Sequence, residues 1–204
     1  MIRILYAKTV ELPGVDEMRA ALPEAWLAAF DAAHRTARRE SLGGVWMLWR
    51  SGVGGELRYD GNGRPFVVCK EVNDLNISHT KNAVFCALAS GEHERVGIDA
   101  EEWKRPTGDM VKIAKRFFSP DEVGELLSAN DREATFLRLW TRREAYAKFC
   151  GDGLAKHLGK EISGEGCCFA SGKIDGVCVT VCTDAPVPDT VFAPSFVRFF
   201  GKDA

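Results

Sequence analysis

The pattern of apolar and polar positions divides the chain into a short series of elements. Residues 2–8, Ile-Arg-Ile-Leu-Tyr-Ala-Lys, read as a strand. Residues 23–50 read as helical, from Pro23 at the first helical position through Trp26, Leu27, Phe30 and His34. Gly43-Gly44 is expected to break or kink that helix ahead of the apolar Val45-Trp-Met-Leu-Trp49. Residues 51–63 are rich in turn formers, with Gly52, Gly54-Gly55 and Asp60-Gly-Asn-Gly63. Residues 75–79 lead into 82–89, a continuous apolar run that reads as a buried strand. After a turn at Gly91–Glu94, residues 95–101 read as a second strand, and the two are expected to pair as a hairpin.

The next start signal is Phe118-Ser-Pro-Asp-Glu122. Ser119 can cap a helix, Pro120 suits its first turn, and Glu122 lies three residues after the cap. A long helix over 131–149 is closed by Gly151 and Gly153. The tail, 166–199, carries two or three strands with turns at Ser171-Gly172 and Asp175-Gly176. Strands and helices in mixed order predict an α+β fold.

Composition narrows the function. Lys+Arg is 27 and Asp+Glu is 29, a net charge of −2, so no global field draws the chain to nucleic acid or anionic membrane. Anion binding must come from local clusters. No stretch approaches the ~20 apolar residues of a membrane span. Arg3 and Lys8 interrupt the first apolar stretch, so it lacks a signal-peptide core and the expected location is the cytoplasm. Seven cysteines without a Cys-x-x-Cys pair are expected to be reduced core thiols rather than a zinc site or disulfides.

Four groups of residues could carry chemistry. Asp99 and Glu101 project from the same face of a strand beside Val96, Gly97 and Ile98. Two like charges next to apolar surface are costly unless a cation neutralises them, although a solvated strand end would look the same. Glu144 and Lys148 share one helical face with Trp140, either as an ordinary surface pair or as a half-buried site. Leu75-Asn-Ile-Ser-His79 can bind a phosphate through the Ser78 hydroxyl, the His79 imidazole and backbone N–H groups, or can simply be a strand entry. Ser78 and His79 diverge on a strand and no Gly-x-Ser-x-Gly is present, which argues against a serine-hydrolase triad. Arg35, Arg38, Arg39 and Arg64 would form an anion pocket if they converge with His79.

Taken together, these segments resemble the 4′-phosphopantetheinyl transferase superfamily, in its longer, Sfp-type branch. Gly63-Arg-Pro65 looks like the family's Gly-Lys-Pro, and Leu75-Asn-Ile-Ser-His-Thr80 like its Phe-Asn-(Leu/Ile)-Ser-His-Ser. Val96-Gly-Ile-Asp-Ala-Glu101, Phe117-Phe-Ser-Pro-Asp-Glu122 and Trp140-Thr-Arg-Arg-Glu-Ala-Tyr-Ala-Lys148 match three further motifs in family order. A weaker match lies at Arg39–Gly43. Arg64 and Arg143 stand where lysine is usual, and Thr80 where serine is.

The resemblance implies two similar α/β subdomains related by a pseudo-twofold axis, with coenzyme A in the cleft between them. The boundary is placed in the 91–95 turn, giving residues 1–93 the adenosine side of coenzyme A and residues 94–204 the metal and catalytic groups. It implies Mg²⁺, with Mn²⁺ as the other choice, held by Asp99, Glu101 and Glu144. Catalysis would fall to Glu144, Lys148 and Glu122, the last either as a base or only as a helix cap. Arg39, Arg64, Ser78, His79, Arg143 and Lys148 would hold coenzyme A. The partners implied are apo-carrier proteins, with neither nucleic acid nor membrane, and the chain is expected to be a monomer. Two other readings compete: a metal-independent coenzyme A acyltransferase, and a catalytically inactive coenzyme A- or carrier-binding module.

Overall fold

The computed structural model describes residues 1–34, 38–102, 109–162, 166–193 and 197–200. Arg35 of the predicted arginine cluster lies outside them. Nine strands and six α-helices follow one another in mixed order among these residues, as the α+β expectation required.

Strand β1 (Ile2–Lys8) leads through helices α1 (Val15–Ala21), α2 (Glu24–Ala33) and α3 (Arg39–Arg50). A small hairpin, β2 (Glu56–Tyr59) with β3 (Pro65–Val68), precedes a second hairpin, β4 (Asp74–His79) with β5 (Ala83–Ala89). β5 pairs antiparallel with both β4 and β1, which gives the order β4-β5-β1. Strand β6 (Val96–Glu102) then leads through α4 (Met110–Phe117), α5 (Pro120–Ser128) and α6 (Arg132–Cys150) to the hairpin β7 (Cys168–Ile174) and β8 (Val177–Thr183). Here β8 is central, in the order β7-β8-β6. The same scheme thus occurs twice: a first strand, three helices, and a returning hairpin whose second strand pairs with the first. The last strand, β9 (Val197–Phe199), crosses back to pair parallel with β1, so a division at residue 93 leaves one strand on the far side.

Burial follows the strand period of two. Ile2, Ile4, Tyr6, Phe85 and Ala87 face Val96, Ile98, Val179 and Val181 in a core between the two sheets. Leu5, Ala7, Cys86 and Leu88 face the other way, onto α2 and α3 through Trp26, Phe30, Val45 and Leu48. On β8 the alternate residues Cys178, Thr180 and Cys182 turn towards α6. Both central strands are therefore buried on both faces, which is why they are continuous apolar runs.

Three predicted features are corrected. Strands β5 and β6 are not a hairpin: both edges of β5 are taken by β1 and β4, and the chain changes sheets at residues 90–95. Asn73 Nδ2 pins that crossing by donating to the Gly91 and His93 carbonyls, and Asp184 Oδ2 accepts from the Glu94 and Arg95 N–H groups. Residues 23–50 form two helices, and Gly43-Gly44 is not the break. Both glycines sit inside α3, where a Cβ would come within 2.5 Å of Leu12 Cδ1 and 2.8 Å of Ile77 Cγ2; their smallness lets the helix lie against the sheet. Gly172 falls inside β7, paired with Val179 of β8 and with the Phe192 ring against it, whereas Asp175 and Gly176 make the β7–β8 turn with positive φ. The Ser119 capping box is formed, and α6 ends at Gly151 in the left-handed conformation.

Candidate active site at the seam between the two sheets

Strand β6 pairs with β8 along one edge only. Its other edge meets β4, and polar side chains on alternate positions of β4 satisfy it. Asp74 Oδ2 accepts from the Val96 N–H at 2.9 Å, Asn76 Oδ1 from Ile98 at 2.9 Å, and Ser78 Oγ from Ala100 at 3.3 Å. The Asn-Ile-Ser motif is therefore a seam between the two halves. It also fixes Ser78 beneath Asp99.

Gly97 decides where α6 lies. A Cβ at this position would stand 2.1 Å from the Ala145 carbonyl oxygen and 2.5 Å from the Phe149 nitrogen. Only glycine lets the helix backbone come this close to β6. That approach lays Glu144 and Lys148 over Asp99 and Glu101, which follow Gly97 on the same strand face.

Asp99 is buried, at 5% exposure. Its Oδ1 accepts from Ser78 Oγ at 3.1 Å and from Lys148 Nζ at 2.7 Å. Lys148 also donates to Ser78 Oγ and the Ile98 carbonyl, so all three of its protons are used. The Asp99 Oδ2 oxygen is buried with no partner. Burial pushes the Glu101 carboxyl up to about 7, with the Asp99 charge adding to it and the Trp140 indole N–H opposing it. Burial, then Asp99, also raises Glu144, against the pull of Lys148. Three carboxylates thus crowd one ammonium, with one buried oxygen orphaned. This donor set is all oxygen and over-charged, which suits a hard divalent cation. Lys148 holds part of the place such an ion would neutralise.

A cleft of about 290 Å³ opens beside Glu144 and Lys148 and is walled by Arg64, Pro65, Ile77, Gly151 and Gly153. A second pocket of about 150 Å³ shares Gly63, Pro65 and Ile77 with it and ends on His34, Ser41, Tyr59 and His79. His79 points away from Ser78, into this second pocket, with Nε2 3.3 Å from Ser41 Oγ. Burial lowers its pKa, so the ring is held neutral, as a hydrogen-bonding group rather than a fixed charge.

Several predicted residues are engaged by the chain itself, Arg64 among them although it walls the cleft. Arg39 donates to the Leu12 and Pro13 carbonyls and so ties α3 to the loop before α1; Arg38 is the arginine whose charge reaches His79. Arg64 is a staple: it donates to Asp74 Oδ2 at 2.5 Å, the Val96 carbonyl at 2.7 Å, the Leu75 carbonyl and the Lys148 carbonyl. It thereby joins β4, β6 and the last turn of α6. Arg143 is fully buried, donating to Glu122 Oε2 and to the His157 and Lys160 carbonyls. Glu122 is spent on that pair and on the Ser119 N–H. Neither faces the cleft walls. Ser78 lies at the site, but its hydroxyl serves Asp99, Lys148 and Ala100 rather than the His79 pocket. Sequence reading missed Asn76, Ser41 and Tyr59. The alternation of Asp74, Asn76 and Ser78 was a readable signal for the first; Ser41 and Tyr59 are brought in only by tertiary packing.

Comparison with known proteins points to one superfamily. Residues 95–165 match the 4′-phosphopantetheinyl transferase superfamily. The chain is 39% identical over 103 residues to the 4′-phosphopantetheinyl transferase HetI of Nostoc sp. strain PCC 7120, covering 48% of this chain and 42% of that protein. It is 37% identical over 98 residues to the 4′-phosphopantetheinyl transferase Sfp of Bacillus subtilis strain 168, covering 47% and 41%. Against the L-aminoadipate-semialdehyde dehydrogenase-phosphopantetheinyl transferase of Saccharomyces cerevisiae it is 31% identical over 110 residues, covering 50% and 40%. The matched stretch spans about two-fifths of each of these relatives. Residues 95–165, which carry Asp99, Glu101, Glu144 and Lys148, are thus similar to the 4′-phosphopantetheinyl transferase superfamily, Sfp among the relatives matched.

Proposed function

We propose that this chain transfers the 4′-phosphopantetheine group of coenzyme A to a serine of an apo-carrier protein, releasing 3′,5′-ADP, with Mg²⁺ as the preferred ion and Mn²⁺ as the other choice. The observation that carries the proposal is the meeting of Asp99, Glu101, Glu144 and Lys148 at one end of a cleft whose other end is the His79 pocket. A bound divalent ion would neutralise phosphate charge and polarise the phosphorus under attack. Asp99, Glu101 and Glu144 are the residues that would hold it, with the orphaned Asp99 oxygen the strongest pointer.

Glu144 is the preferred base. Its raised pKa means that it accepts a proton more readily than a free glutamate, which suits removal of the serine proton. Lys148 is positioned to stabilise charge on the departing phosphate, provided it releases one of its three present acceptors. His79 and Ser41, with the Arg38 charge nearby, suit the 3′-phosphate and adenosine end. Glu122 and Arg143 are read as a structural pair rather than as base and phosphate ligand.

The repeated strand order supports a pseudo-twofold relation between residues 1–93 and 94–204, with β9 returned to the first sheet. No helix among the described residues is long and apolar enough to cross a membrane. Seven free cysteines fit a reducing compartment such as the cytoplasm, and the chain is taken to act as a monomer.

The test is to incubate the protein with coenzyme A, Mg²⁺ and a panel of acyl and peptidyl apo-carriers, then weigh the carriers intact. A gain of one phosphopantetheine, abolished by EDTA, is expected. Coenzyme A binding without any mass gain would favour the inactive binding module instead.

A further inference from the structure

The end of α6 brings a second set of metal-capable side chains together. Among the described residues, Cys150, Asp152 and His157 place one ligand atom each within 4.8 Å of the others. They come from three adjoining elements: the last residue of α6, the loop between Gly151 and Gly153, and the short 3₁₀ turn Leu154–His157. Gly151 and Gly153 both have positive φ, which folds the loop back so that residue 157 meets residue 150. We propose that Cys150, Asp152 and His157 bind a zinc-class divalent cation at a site separate from the carboxylate cluster.

The donor set argues for that class of ion. A thiolate, an imidazole and one carboxylate are borderline-soft ligands that select zinc-like ions, whereas the all-oxygen cluster at Asp99 selects hard ones. Tetrahedral zinc with its usual bond lengths separates ligand atoms by roughly 3.3–3.8 Å. His157 Nε2 and Asp152 Oδ1 are already 2.6 Å apart, so closing the set requires shifts of about an ångström on a glycine-flanked loop. Three protein ligands leave the fourth position for water.

A neighbouring aromatic ring orients one of the ligands. The Tyr146 ring packs edge-on against His157 with centroids 4.9 Å apart. That contact holds the imidazole, as groups behind metal ligands do. Two cations face the set. Lys156 Nζ lies 3.8 Å from Asp152 Oδ2 on a largely exposed side chain that can swing away, and Arg95 donates to the Cys150 carbonyl. The set is half-buried and therefore reachable by an ion. Its loop also forms a wall of the cleft through Gly151, Gly153 and Leu154, so an ion there would stiffen the rim without touching Glu144 or Lys148. The inference does not depend on the transferase reading.

The test uses the full chain, reduced and stripped with EDTA, titrated with Co²⁺ and read by the thiolate-to-cobalt charge-transfer absorption, then back-titrated with Zn²⁺. One equivalent of Co²⁺ should bring up the band, and Zn²⁺ should bleach it. Cys150→Ser should remove the band. Asp152→Asn and His157→Ala should weaken Co²⁺ binding by more than about tenfold while their melting curves show them folded. Asp99→Asn should keep the band, which separates this site from the carboxylate cluster. Absence of a band in the wild-type chain overturns the proposal. So does a band that survives Cys150→Ser, or Co²⁺ affinity unchanged in both Asp152→Asn and His157→Ala.

Discussion

Arg143 and Glu144 are neighbours in the chain and opposites in the molecule. Arg143 points to the far side of α6, where Glu122 and two carbonyls satisfy it and solvent is excluded. Glu144 points onto β6, where Asp99 and Glu101 repel it and one ammonium serves all three carboxylates. The first charge is matched and the second is left in want of positive charge. Buried ionic groups that are fully paired hold a fold together; groups left unmatched beside a cleft are poised to take a ligand. Helical geometry makes this possible, because adjacent residues diverge by about 100° on a helix of 3.6 residues per turn.

The sharpest way to break this comparison is to neutralise each side. Glu144→Gln should lower the carrier-modification rate by on the order of 10²–10⁴-fold. Its melting temperature should stay level or rise, because a repelled charge has been removed. Near-normal turnover would end the assignment of Glu144 as base. Arg143→Ala should do the reverse, losing about 3–5 kcal/mol of stability by leaving Glu122 buried and unpaired, as read by denaturant unfolding. Glu122→Gln keeps the capping box and should retain activity within a few-fold below its melting temperature. Loss of turnover in folded Glu122→Gln would return Glu122 to the catalytic set.

A smaller effect tests how the two sides of α6 are set apart. Gly97→Ala should cost about 1–3 kcal/mol, because the added methyl meets helix backbone rather than a side chain that can move. It should also slow turnover by lifting Glu144 off Asp99. Unchanged stability would mean that α6 does not need this close approach.

The smallest effect is a pH slope. Glu101 holds its proton to about pH 7 in the folded chain, whereas an ordinary solvated glutamate holds it only to about 4.5. Between these values the folded state binds more protons than the unfolded state, so stability falls as pH rises through that window and levels off above it. In EDTA, the melting temperature of wild type relative to Glu101→Gln should fall across this range, and Mg²⁺ should recover part of the loss at the upper end. A flat difference would show Glu101 to be solvated.

Much of this was legible in the residues. The capping box at Ser119, the stop at Gly151, and the shared faces of Asp99 with Glu101 and of Glu144 with Lys148 follow from local periods of 2 and 3.6. The buried strands β5 and β8 were readable as apolar runs. Their partners were not, because pairing depends on which edges are already taken. The arginines were the least legible. Arg39, Arg64 and Arg143 look alike in sequence as phosphate ligands, yet each is spent on carbonyls or a carboxylate of its own chain.

By itself, then, the sequence determined the longer helices and buried strands, the caps of α5 and α6, and which carboxylates share a face, since these are set by residues within a turn or two of each other; the short elements α1, β2, β3 and α4 it did not. Only the tertiary structure decided that Ser78 belongs to the seam and His79 to the pocket, that Gly97 brings α6 down onto β6, and that Cys150 meets His157. Those outcomes depend on backbone approach and on competition for hydrogen-bond partners between segments far apart in the chain, which no local pattern encodes.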